Sequence, residues 1–223
     1  MLYTVRLWRF SSVILFLLTI SAAVLLHSQA PTLGIRSVDF KNFSYPWEAP
    51  NQSPDHLQWM SLGLKNHVQL ANGKWEDREE QDLGANGTFT GLTLEGVKYV
   101  RLSSQNEEEA LVVLRYDTGG TQYHYWVYVF GFSDGAPKLM GFFHAGDRAA
   151  HGLSTVIADK GKLVVDLYDP DKQEGDCCSS GVVRYVFRWR GKGFETVGHP
   201  TKRGAEDSSR RPVTIFGLPI DGK

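Results

Sequence analysis

Thr121-Gln122-Tyr123-His124-Tyr125-Trp126-Val127-Tyr128-Val129-Phe130-Gly131-Phe132, followed by Ser133-Asp134-Gly135, decides the fold of this chain. β-branched and aromatic residues dominate and no proline interrupts, so the segment reads as a strand. Residues of both parities are apolar or aromatic. A strand with only one buried face would alternate, so this one is expected to be central and covered on both sides. Asp134-Gly135 is a hairpin turn signal, and residues 138–144 form the returning strand.

The same arrangement recurs on either side. Residues 96–102 and 110–116 read as strands around the polar turn 103–109. Residues 156–158 and 162–168 flank Asp159-Lys160-Gly161, a three-residue hairpin loop with glycine where positive φ is needed. Residues 182–190 and 194–197 flank Gly191-Lys192-Gly193 in the same way. Residues 66–70 and 74–76 form a further hairpin signal around Ala71-Asn72-Gly73. Residues 35–40 alternate and read as a strand. Residues 56–64 predict a short helix, with Asp55 as its N-cap. Residues 199–212 are charged and hold Pro200 and Pro212, so 199–223 is expected to be a tail, with residues 213–218 able to add a last strand. About ten short strands joined by tight turns, with no crossover helices, predict an all-β fold with a minor helix near the N-terminus. The architecture is an antiparallel meander, a sandwich or an incomplete propeller-like sheet.

Composition bounds the class. The chain has 223 residues, 42% hydrophobic and 22% charged, with a formal net charge of −1. Such a chain is neither disordered throughout nor a multi-span membrane protein, and it has no overall basic signature for nucleic acid. The apolar residues are unevenly spread. Arg6 and Arg9 precede an apolar run over residues 13–26, and Ser28-Gln29-Ala30 fits a small-x-small cleavage site. This is the layout of a secretory signal peptide over residues 1–30, or of a signal-anchor if it is not cut. Pro31 directly after the cut disfavours cleavage, and the apolar run is short for a spanning helix. No Cys lies near residue 30, so a lipoprotein anchor is not expected. Residues 31–198 then form one exported domain, periplasmic or extracellular, large enough for its own core. Without residues 1–30, 22 basic residues face 25 acidic ones, a charge of −3.

Several motifs invite chemical readings. Gly131-Phe132-Ser133-Asp134-Gly135 matches the G-x-S-x-G pattern of serine hydrolases, but that elbow needs a helix after its strand. Here Ala136-Pro137 and another apolar run follow, so a hairpin turn is expected. His144, Asp147 and His151 lie within eight residues and are the first candidate metal ligands, since neutral imidazole and carboxylate hold transition metals. A loop packed over the sheet end, with Asp147 paired to Arg148, is the competing reading. Asp169, Asp171 and Asp176, with Glu174, form an acidic loop that could take calcium, although the D-x-D-x-D-G order is absent, and no cofactor is otherwise expected. Residues 106–109 are a second acidic run, expected to be a solvated turn. Cys177 and Cys178 are the only cysteines and they are adjacent. They could form a strained vicinal disulfide, stay reduced, or link molecules. No C-x-x-C, Walker loop, Rossmann fingerprint or H-E-x-x-H occurs. The aromatic residues at strand spacing read first as core, with an exposed carbohydrate or peptide platform as the alternative.

Five segments together carry a resemblance: 38–47 (Val-Asp-Phe-Lys-Asn-Phe-Ser-Tyr-Pro-Trp), 108–114 (Glu-Glu-Ala-Leu-Val-Val-Leu), Gly146-Asp147-Arg148, Gly175-Asp176-Cys177-Cys178, and 184–194 (Arg-Tyr-Val-Phe-Arg-Trp-Arg-Gly-Lys-Gly-Phe). They resemble a group of uncharacterised exported bacterial proteins over most of residues 36–195. The resemblance implies an envelope or secreted protein and transfers no activity. In that group the segment before the E-E-A strand often looks like D-L-T-G-D-G, similar to a calcium-loop repeat of integrin-like propellers. Residues 101–106 here are Arg-Leu-Ser-Ser-Gln-Asn, so the acids of that loop are missing. The expectation is a non-catalytic binding or structural domain of the periplasm or cell exterior. Its partner class would be an envelope protein or carbohydrate, with membrane contact only through an uncut residues 1–30. A secreted hydrolase or thiol-redox enzyme is the alternative.

Overall fold

The computed structural model describes residues 34–48, 57–77, 89–104, 106–120, 122–147, 151–174, 178–204 and 216. Among them the chain is all-β, as the alternating and doubly apolar segments predict. The strands are β1 (Ser44–Pro46), β2 (His67–Gln69), β3 (Lys74–Glu76), β4 (Thr90–Val100), β5 (Glu109–Thr118), β6 (Tyr123–Ser133), β7 (Ala136–Ala145), β8 (Leu153–Asp159), β9 (Lys162–Tyr168), β10 (Gln173–Glu174), β11 (Cys178–Ser179), β12 (Gly181–Trp189), β13 (Phe194–Thr196) and β14 (Thr201–Gly204). Every strand pair is antiparallel.

The first sheet runs β3-β4-β5-β6-β7 and the second β13-β12-β9-β8, with β14 also on β12. They form a sandwich. Leu111 and Val113 of β5, Val127 and Val129 of β6, and Phe143 of β7 pack against Val156 of β8, Leu163, Val165 and Leu167 of β9, and Val183, Tyr185 and Phe187 of β12. The other face of the first sheet is covered too. Ala110, Val112, Leu114, Trp126, Tyr128, Phe130 and Phe142 form a second core with Ile35, Phe40, Tyr45, Trp47, Val68 and Leu70 from the N-terminal segment. This second cover is why β5 and β6 are apolar on both parities. Tyr128 donates its hydroxyl to the Pro46 carbonyl at 2.9 Å, and its ring meets that of Tyr45 at 5.1 Å. A buried phenol thereby keeps its hydrogen bond while tying the cover to the sheet.

Turn chemistry behaves as the sequence suggests. Asp134 and Gly135 have φ of 55° and 77°, the type I′ pattern that joins two residues across a right-twisted hairpin. Ser133 is exposed at the end of β6 and β7 begins at Ala136, so the G-x-S-x-G segment is a strand-turn-strand and not a nucleophile elbow. The loop between β8 and β9 is shorter than expected. Asp159 pairs with Lys162, leaving Lys160 (φ 48°) and Gly161 (φ 73°) as a two-residue turn.

Four expectations are corrected. Residues 35–40 are not a strand but parts of two 3₁₀ turns, Ile35–Ser37 and Phe40–Asn42. Asp39 accepts from the Lys41 N–H and the Asn42 side-chain amide, and that local bonding overrides the alternating pattern. Residues 57–64 hold no helix. Trp59 bridges Phe143, and Met60 N–H donates to the Phe142 carbonyl at 2.9 Å, so this stretch borders the edge of β7. The Trp59 ring stacks on Phe194 at 4.4 Å, a contact a solvent-facing helix would forfeit. The 66–76 hairpin is reduced to a turn at Asn72-Gly73 with a single Ala71–Lys74 bridge, because β2 pairs with β1 and β3 with β4. Finally, Thr201–Gly204, expected in the tail, pairs with Gly181–Arg184 as β14. β13 pairs with the other half of β12, so the two act as one edge strand interrupted near Gly198 (φ 75°). The charged Lys202 and Arg203 suit a sheet edge. Of residues 205–223 only Phe216 is described. Its ring packs where a Cβ on Gly96 would otherwise point, and its carbonyl accepts from Lys98 Nζ at 3.2 Å.

Candidate functional site

Strand register builds the site. Trp75, Leu92, Tyr116 and His124 lie in one row across β3, β4, β5 and β6. Leu114, Trp126 and His144 lie in the next row across β5, β6 and β7. All face the N-terminal cover. His124 and His144 are therefore diagonal neighbours on adjacent strands. His144 Nε2 lies 3.2 Å from His124 Nδ1, with ring centroids 5.2 Å apart. The His144 ring stacks on Trp126 at 4.8 Å, and Trp47 packs on the same indole at 5.0 Å. Trp47 also meets Tyr116, whose hydroxyl donates to Asp77 at 3.3 Å. The Trp126 indole nitrogen is buried without a hydrogen-bond partner among the described residues.

Burial sets the protonation of the pair. His144 is pushed down to about 4, first by loss of water and then by the neighbouring His124. His124 is lowered by burial as well, with the Asp147 carboxylate opposing the shift. Both residues are 8–9% exposed. At neutral pH they are two uncharged imidazoles, with lone pairs available to a proton or a metal ion.

The candidates from the sequence divide accordingly. His144 belongs to the site. Asp147 lies just beyond the end of β7 and acts on His124 through its charge. His151 is held by a backbone bridge to Asp147 and has φ of 54°. Gly146 N–H donates to its carbonyl at 3.1 Å. The three close in sequence do not converge as one ligand set, and among the described residues no group of three His, Cys, Asp or Glu is placed to hold a metal ion. Arg148 lies outside the described residues.

The acidic loop has an internal cation. Lys202 Nζ lies 3.4 Å from the Asp169 carboxylate and 2.5 Å from that of Asp171. The Lys202 ammonium holds the Asp171 carboxyl below the usual carboxylate range. Lys202 thus stands where calcium would bridge these two residues. Asp176 and Cys177 lie outside the described residues, and Cys178 is described only as backbone of β11, opposite Glu174. The vicinal-cysteine expectation therefore also lies outside them.

Sequence reasoning missed three residues. His124 sat unremarked inside the aromatic run. Glu109, expected in a solvated turn, is buried and accepts from the Leu102 N–H at 2.8 Å, from the Ser103 N–H at 3.2 Å and from the Ser103 hydroxyl. Glu95 falls at a β-bulge between Leu94 and Gly96. Burial raises its carboxyl, and Arg115 Nη1, 3.2 Å away, opposes the shift. No helix among the described residues is long and apolar enough to cross a membrane. Comparison with protein-family models, with curated proteins and with solved structures finds no match for this chain.

Proposed function

We propose that this chain is an exported β-sandwich domain of the bacterial periplasm or cell exterior that works by binding, with an envelope protein or carbohydrate as its partner class. Export rests on the leader layout of residues 1–30. The observation that supports binding is how the buried acids are used. Glu109 caps two backbone N–H groups, Asp166 holds Arg184 through two 2.7 Å bonds, and Asp169 is paired with Lys202. Each is engaged in holding the fold, which leaves it poorly placed for proton transfer to a substrate. The His124–His144 end of the first sheet is the place where uncharged polar groups and aromatic rings meet.

One observation favours the hydrolase alternative. Glu95 is a half-desolvated carboxyl raised by burial, on a bulge, beside Arg115, and its charge reaches Tyr125. Such a group fits a general acid. The two readings separate in one experiment on the purified exported domain. Co-sedimentation with purified sacculi, with no turnover of chromogenic ester and glycoside panels, supports binding. Turnover abolished by Glu95→Gln supports the enzyme.

A further inference from the structure

We propose that His124 Nδ1 and His144 Nε2 chelate one divalent transition-metal ion of the zinc, copper or nickel type. The inference goes beyond the binding reading and does not depend on it. Two geometric quantities carry it. A tetrahedral ion bound to two imidazoles at roughly 2.0–2.1 Å separates the two nitrogens by about 3.3 Å and the ring centroids by about 5.2 Å. The pair in this protein shows 3.2 Å and 5.2 Å. A linear N–H···N bond of the same nitrogen separation would place the centroids about 5.5 Å apart. The observed separations thus match those an ion would set, and the metal-free pair reaches the same spacing with an N–H···N bond bent off the line.

The surroundings suit the same occupant. Both imidazoles are held neutral by burial, the form that ligates metal. Adjacent strands fix their spacing, so little reorganisation is needed on binding. Asp147 adds a negative charge toward His124, and the unpartnered Trp126 indole N–H leaves a donor in the same cluster. Among the described residues no third ligand joins the two histidines. A site of these two ligands leaves its other coordination positions to water or to an added anion. On binding, the ring that donates across the pair moves its proton to its other nitrogen, so both rings stay neutral ligands, and affinity falls in acid because protonation of either imidazole competes with the ion.

The test is titration of the untagged, chelator-stripped protein with Zn²⁺, Ni²⁺ and Cu²⁺, followed by calorimetry and thermal melting. The expected result is one ion per chain at micromolar affinity or tighter, with a melting temperature that rises with metal concentration. His144→Gln and His124→Gln should each weaken binding at least tenfold, while His67→Gln/His199→Gln, at exposed positions, should leave it unchanged. Where a core variant fails to fold, protection of His124 and His144 from diethylpyrocarbonate by Zn²⁺, read by peptide mass, reports on the native chain. Binding that survives both core variants, or no metal-dependent protection of either histidine, overturns the proposal.

Discussion

Gly141 faces the Trp59 indole so closely that a Cβ on it would lie 2.8 Å from Cζ3 and 2.9 Å from Cε3. Phe194 would be 3.2 Å away on the same side. Trp59 cannot easily retreat, because it stacks on Phe194 and meets Phe143 and Phe187 edge-on. A strand glycine here admits the ring that links the edge of β7 to the second sheet. Gly141→Ala should therefore cost about 2 kcal/mol through overpacking. In a Trp59→Ala background the same change should cost almost nothing. Urea unfolding of the four proteins in this cycle measures the coupling, and additive costs would show that the contact is not what restricts Gly141.

Glu109 replaces missing backbone partners where β4 gives way to β5. Its carboxylate takes both the Leu102 and Ser103 N–H groups in a buried position. Glu109→Ala should destabilise by about 2–3 kcal/mol, since it leaves buried donors unsatisfied. Glu109→Gln keeps one acceptor oxygen and should lose less. Equal losses in chemical denaturation would contradict this role.

The metal-free protein should lose stability in mild acid. His144 has a folded-state value of about 4, below the ordinary histidine value of 6.5. Above pH 6.5 both the folded and unfolded forms are neutral there. As pH falls from about 6.5 toward 4 the unfolded chain takes up the proton and the folded chain resists it, so stability drops by on the order of 3 kcal/mol. His124, lowered in the same direction, adds to the slope. His144→Gln should flatten most of it. A wild-type stability that stays level across this window, by denaturant midpoint at each pH, would count against a buried neutral pair.

Much of the fold was legible because local signals and packing agree. The β6 run has no polar parity, and both of its faces are covered. Asp134-Gly135 demanded a tight turn and received one. The site was less legible, and one bulge explains why. From the Ser133–Ala136 pair, uninterrupted register would set His144 opposite Tyr125, on the face away from His124. The register instead shifts between Val129 and Phe130, with Met140 as the extra residue, so His144 pairs with Trp126 and shares the face of His124. Nothing in the local composition of residues 138–144 marks that shift. It follows from tertiary packing, with Trp59 seated over Gly141 beside the bulge. Residues 35–40 failed for the opposite reason. Their alternation was real, but Asp39 offered the backbone a closer partner than another strand could.

The central claim, that this sandwich works outside the cytoplasm, is tested most directly by protease accessibility in spheroplasts of a bacterial host making the full chain with residues 1–30. Export predicts digestion in intact spheroplasts, whether the leader is cut or remains as an anchor. Protection of the chain until the cytoplasmic membrane is lysed would contradict it.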